Sequence, residues 1–227
     1  MQYIYNITNW FFGIDVIFEL FFAITTLAVC LYAFKIYNLS KQGHPKLLAY
    51  AFLFFSLSYF IESITNFAII SKLNQNICTI LKIKSVYALN LTGIYLHILL
   101  FTIGLVTLTY MILNIKDKKA YSLLLIISIF FVLSSTNKIY AFYLLSTILL
   151  IYISSHYLTN YIRNKQIKTL LVLIAFIFLL LGNAHFMFAV NHVPFYIIGH
   201  FLELAAYLLI LLNLILVFKN GKKKKQT

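Results

Sequence analysis

Acidic residues are nearly missing from this chain: five Asp and Glu stand against 18 Lys and Arg among 227 residues, and all charged residues together make up only 10%. A soluble domain carries about a quarter of its residues as charges, and amphipathic helices with charged outer faces would be needed to dissolve this one. The apolar runs here show almost no such faces, so a soluble bundle is excluded. Cysteine is also scarce. Cys30 and Cys78 are too few for a disulfide framework and fall toward opposite ends of the helices expected below, so no disulfide is expected. The start of the chain has no basic segment ahead of its first apolar run. That run carries Asp15 and Glu19 and continues to Lys35, too long for a cleaved leader, so it is read as a retained first span. No P-loop, nucleophile elbow or Rossmann fingerprint lies in any connection.

Apolar surface is what the chain has in abundance, with 63% hydrophobic residues and a mean hydropathy of +0.94. Lipid is the solvent that accepts this much of it, and a bilayer core takes roughly 20 apolar residues per helix. Runs of that kind predict spans at Phe12–Lys35, Leu47–Ile70, Tyr87–Leu113, Ala120–Ser135, Ile139–Thr159, Thr169–Val190 and Phe195–Phe218. The expected fold is an all-α integral membrane protein, a bundle of about seven transmembrane helices. It forms one domain over residues 1–218, with a basic cytoplasmic tail over residues 219–227. The fourth run is short and meets the fifth at Thr136-Asn137-Lys138. A tight hairpin is the first reading, and a re-entrant pair leaving five full spans is the alternative.

The formal charge of +13 would suggest nucleic acid if it were spread over a folded surface. Instead the basic residues lie between apolar runs and at the end of the chain. Fourteen follow the odd-numbered spans: Lys35, Lys41 and Lys46, then Lys116, Lys118 and Lys119, then Arg163, Lys165 and Lys168, then Lys219 and Lys222 to Lys225. The other side holds four, Lys72, Lys82, Lys84 and Lys138. Cytoplasmic loops keep Lys and Arg, so the N-terminus is expected outside the cell membrane and the tail inside. The partners this implies are the lipid bilayer and anionic headgroups at the C-terminal lysines, with no nucleic acid. The Asn6-Ile7-Thr8 sequon would face outside and is given no role.

Of the five acids, Asp15, Glu19, Glu62 and Glu203 fall inside predicted spans and only Asp117 lies in a loop. No Lys or Arg lies well within a span to answer them. A charge deep in lipid costs on the order of 2.5–3.5 kcal/mol even on mild insertion scales, so such groups turn inward and find partners. Histidines are the candidates: His97, His185 and His200. At about 1.5 Å per residue, these three, Glu19, Glu62 and Glu203 all fall roughly 7–15 Å below the outer boundary. Ser58, Glu62 and Asn66 share one face of the second helix at i, i+4 and i+8, and Tyr196, His200, Glu203 and Tyr207 form a stripe on the seventh. Gly93, His97 and Gly104 share a face of the third, where small residues admit a close neighbour. Asn183 and His185, two apart, cannot both point inward; His185 is the expected one. His192 falls in the outer loop, on a polar route to the outside.

The candidate ligand-binding set is therefore Glu19, Glu62, Asn66, His97, His185, His200, Glu203 and Tyr207. Carboxylates and imidazoles without Lys or Arg suit positive charge. A divalent metal such as Zn²⁺ on His97, His185, His200 and Glu203 is one occupant; an organic cation or a bound proton is another. A retinal Schiff base would need a lysine within the last helix, and Lys219 lies at its inner end, so no retinal is expected. Haem has no attachment motif in its support. Three functions fit this inventory. The first is a receptor-like or sensory module signalling to a separate membrane or cytoplasmic partner. The second is a cation or proton-coupled transporter. The third is a metal-dependent intramembrane hydrolase or, with no ligand at all, an accessory membrane subunit whose acids pair with basic residues of another membrane protein. No catalytic residue is assigned.

Overall fold

A computed structural model describes residues 13–73, 86–115, 117–189 and 193–223. Their regular structure is helical throughout: α1 Ile14–Ser40, α2 Gly43–Leu73, α3 Val86–Leu113, α4 Lys118–Ser134, α5 Lys138–Asn164, α6 Ile167–Ala189 and α7 Val193–Lys223. Six helices are long and apolar enough to cross a membrane. The exception, α4, has 17 residues and is about 25 Å long. The sequon, Cys78, Lys82, Lys84, Lys116, His192 and residues 224–227 lie outside the described residues. Cys30 is buried in α1.

Local chemistry explains where the helices stop. Asp117, the acid left outside the predicted spans, caps α4 by accepting from the Lys119 amide at 2.8 Å, and Asn137 caps α5 through the Tyr140 amide at 3.2 Å. Pro45 and Pro194 sit in the first turns of α2 and α7, where an amide proton is not needed. The ends of α1 and α5 are closed by Lys41 and Lys165 in the left-handed region, φ 58° and 46°, each amide donating to a tyrosine carbonyl one turn back at 2.7 Å. A lysine bears backbone strain there that a glycine would not. Its charge complements the helix C-terminus in return.

Helix neighbours close a ring: α1 packs on α2, α2 on α3, α3 on α5, α5 on α6, α6 on α7 and α7 on α1, while α4 packs on α3 and α5 from outside. The ends of α1, α3 and α5 and the start of α2 meet around one cavity of about 530 Å³, lined by Ile36, His44, Met111, Asn114, His156 and Asn160 among others. The start of α4 lies at this end too, Tyr121 reaching Thr107 at 3.1 Å. So α3 and α5 run parallel, and α4 carries the chain back along the bundle between them. α4 and α5 thus form a hairpin.

The radial pattern is inverted relative to a soluble bundle. On α1, Ile17, Leu20, Phe21, Ile24, Leu27 and Leu31 are exposed at helical spacing, while Asp15, Glu19, Thr26 and Cys30 are buried on the opposite face. Outward apolar stripes recur on α4 through Leu123, Ile126, Ile127 and Phe130. Water would penalise these faces heavily, and lipid would not.

Gly93 and Gly104 do what their shared face predicted. A Cβ on Gly104 would lie 2.6 Å from the Phe55 ring and 3.0 Å from the Ala51 carbonyl oxygen, and one on Gly93 would collide with Thr65. α2 thus seats directly on α3.

Candidate functional site

All four acids within the spans turn inward at the bundle end opposite the 530 Å³ cavity. Asp15, Glu19 and Glu203 retain 2%, 1% and 4% of their surface. The expense of a carboxyl in hydrocarbon is offset here by polar neighbours on other helices. The Asn66 carboxamide donates to Glu19 Oε1 at 2.7 Å, tying α2 to α1. His97 Nδ1 lies 2.9 Å from Glu62 Oε2, tying α3 to α2. Ser58 Oγ stands 2.9 Å from both the His97 carbonyl oxygen and Nδ1. One hydroxyl proton serves one bond, so Ser58 donates to the carbonyl and the Nδ1–H faces Glu62 and the Ser58 oxygen. This fixes the ring orientation.

A second set of bonds lies toward α7. Tyr59 and Tyr207 hydroxyls are 2.8 Å apart, beside the Glu203 carboxyl. Tyr196 bonds Asp15. Glu62 stands within electrostatic reach of Asp15, Glu19, Glu203 and His200, so the two sets form one cluster. Glu62 is half-buried, its side chain keeping 31% of its surface accessible. Glu19 Oε2 is buried and has no hydrogen-bond partner.

Seven of the eight predicted residues belong to this cluster: Glu19, Glu62, Asn66, His97, His200, Glu203 and Tyr207. His185 does not. It is half-buried, with Nδ1 on the Leu181 carbonyl at 2.7 Å and its ring against Phe195, while Asn183 takes the inward position at 1% exposure and donates to the Leu179 carbonyl. Residues two apart lie on nearly opposite faces of a helix, and Gly182 beside Asn183 draws α7 close on that face, within 3.2 Å of the Gly199 carbonyl oxygen from an added Cβ. The smaller carboxamide fits where α6 and α7 touch. The predicted metal set of His97, His185, His200 and Glu203 is therefore not assembled, and among the described residues no group of three His, Cys, Asp or Glu side chains is arranged to hold a metal ion.

The sequence reading missed Tyr59 and Tyr143. Tyr59 precedes Glu62 by three residues and Asn66 by seven, so helical spacing carried its signal. Tyr143 is within electrostatic reach of Glu19, Glu62 and Glu203, but it was one of 17 tyrosines and nothing distinguished it.

Beneath the acids the bundle is closed by rings. Phe22 from α1 meets Tyr59 from α2 at 5.2 Å and Tyr207 from α7 at 5.6 Å, Tyr59 meets Phe101 from α3 at 5.7 Å, and Phe101 meets Phe142 from α5 at 5.5 Å. Edge-to-face and tilted geometries at these distances are favourable ring contacts. Phe186 of α6 adds a wall against Tyr143 and His200. Below this floor the interior is filled by Val29, Phe52, Phe55, Leu105, Leu108, Leu150, Ile153, Phe176 and Leu179. Polar groups there are scattered: Thr107 and Thr109 bond carbonyls of their own helix, Ser56 donates to the Ala23 carbonyl of α1, and the Ser154 hydroxyl and Asn213 Oδ1 are buried without a hydrogen-bond partner.

No protein-family model, curated protein or solved structure matches the chain.

Proposed function

We propose that the chain is a receptor-like or sensory membrane module that holds a cation or small cationic ligand in the acid cluster and passes a helix rearrangement to a separate partner. The single observation that carries this reading is the aromatic floor. A polar cluster closed below by rings from five helices suits binding and release on one side, whereas a transporter needs a polar path through the inner half. In this reading the helices cross the bilayer seven times, with the acid cluster outward, the lysine-rich turns and tail inward on anionic lipid, and residues 1–218 acting as one domain. The parallel course of α3 and α5 supports the seventh crossing by α4, whose flanking polar residues extend its short apolar length.

The test is flux in proteoliposomes containing the purified protein. No cation or proton flux above that of protein-free vesicles is expected, with cross-linking in native membranes yielding a partner protein. Flux that disappears in Glu62→Gln would overturn the reading in favour of transport.

A further inference from the structure

We infer that the cavity at the lysine-bearing end of the bundle is a second binding site, and that its occupant is an amphiphilic anion, an apolar body carrying one phosphate or carboxylate group. The inference stands apart from the acid cluster at the other end and does not depend on what that cluster binds. Room is the first requirement. A volume of about 530 Å³ falls within the range of small-molecule sites, about 300–1,000 Å³. Its wall has two parts. Ala33 and Ile36 of α1, Leu48 of α2, and Met111 and Ile112 of α3 are apolar. Gln42, His44, Asn114, His156 and Asn160 supply polar groups. Asn160 donates one carboxamide N–H to His156 Nε2 at 2.8 Å. Its second N–H, and the side-chain amides of Gln42 and Asn114, meet no hydrogen-bond partner among the described residues. Those donors are available to an incoming acceptor.

Charge decides the sign of the occupant. No acid lines the cavity. Four of the five acids of the chain belong to the far cluster, and the fifth, Asp117, is held by the cap of α4. Lys41 and Lys46 bracket the lining stretch from Gln42 to Pro45, and both ammonium groups lie against one ring, that of Tyr37, at 5.8 and 5.6 Å. Two like charges gathered on one ring repel each other, and an anion beside them relieves the repulsion. Arg163 follows Asn160 by three residues, and Lys118 and Lys119 follow Asn114 by four and five, which adds to the positive field at this end. A cation entering here would meet lysines and no carboxylate. A wholly polar anion would leave the apolar wall unused, so the two parts of the wall together select an anion with an apolar body.

The experiment uses the full chain in nanodiscs of phosphatidylcholine alone, with protein-free nanodiscs as the reference. Hexyl phosphate, inorganic phosphate and hexylammonium are titrated separately by calorimetry. Saturable binding of hexyl phosphate is expected, with the other two probes each weaker by about tenfold or more. Hexyl phosphate should weaken by about the same factor in the double variant Lys41→Gln, Lys46→Gln and in Asn160→Leu, which replaces the donor by an apolar side chain of similar size. Both lysines are exposed, so the double variant folds as the parent does. Lys138→Gln removes one charge at the opposite end, where its ammonium donates to the Ser135 carbonyl, and should change nothing. Repeating the titration in nanodiscs containing phosphatidate separates two sources of the same chemistry. Loss of hexyl phosphate binding there assigns the occupant to the bilayer, and unchanged binding assigns it to the water phase. Inorganic phosphate binding as tightly as hexyl phosphate overturns the amphiphile, and hexylammonium binding as tightly overturns the anion. No saturable binding of hexyl phosphate, or binding indifferent to both the lysine and the Asn160 variants, overturns the site.

Discussion

The Tyr59 hydroxyl of α2 meets that of Tyr207 on α7 at 2.8 Å. Both tyrosines are buried, at 3% and 0% exposure, so removing one hydroxyl leaves the other group dry and unbonded. Such an orphan costs about 1–3 kcal/mol. Tyr59→Phe and Tyr207→Phe are therefore each expected to lower stability by about that amount. The double variant should lose less than the sum of the two, as contacting residues couple. Thermal or denaturant unfolding in detergent measures this, and strict additivity would separate the hydroxyls. At this scale the sequence was legible wherever spacing and charge agreed. Glu19, Glu62, His97, His200 and Glu203 were expected to turn inward because ionisable groups in apolar runs have nowhere else to go. His185 was misplaced because helical spacing forbids two inward groups at i and i+2 without saying which yields.

Among the helices, glycine sets how closely neighbours seat. An added methyl at Gly104 meets both the Phe55 ring and the Ala51 carbonyl oxygen, and backbone cannot swing aside as a long side chain can. Gly104→Ala should therefore destabilise the α2–α3 pair by about 1–3 kcal/mol, the usual range for overpacking. Gly43→Ala, at the start of α2 with nothing within 4 Å, should cost almost nothing. Comparing melting temperatures of the two variants in one detergent checks both. The face carrying Gly93 and Gly104 was visible in the sequence, and helix existence and approximate limits followed from apolar run length. Partner choice did not follow. Nothing in the pattern of α4 announced that it would stand outside the ring while α3 and α5 met across it, because its apolar residues suit lipid and protein equally.

Across the whole molecule, the lysine-rich turns and the acid cluster occupy opposite ends of the bundle. Membrane-impermeant thiol labelling in intact cells tests the assigned orientation, using a background with Cys30→Ala and Cys78→Ser. A cysteine at Asn137 is expected to label from outside, and one at Gln166 only after the membrane is opened. The reverse pattern would invert the topology. Composition and run length alone committed the chain to lipid and to helices, since backbone groups in hydrocarbon must bond within their own segment. Charge placement alone required an inward polar cluster, since no basic residue was near enough to answer the acids elsewhere. Which helices became neighbours was settled by packing in three dimensions. That closed a floor of Phe22, Tyr59, Phe101, Phe142 and Tyr207 beneath the carboxyls. Rings from five helices carry no shared spacing along the chain, so their meeting depends on how the helices rotate about their axes, which one-dimensional order does not encode.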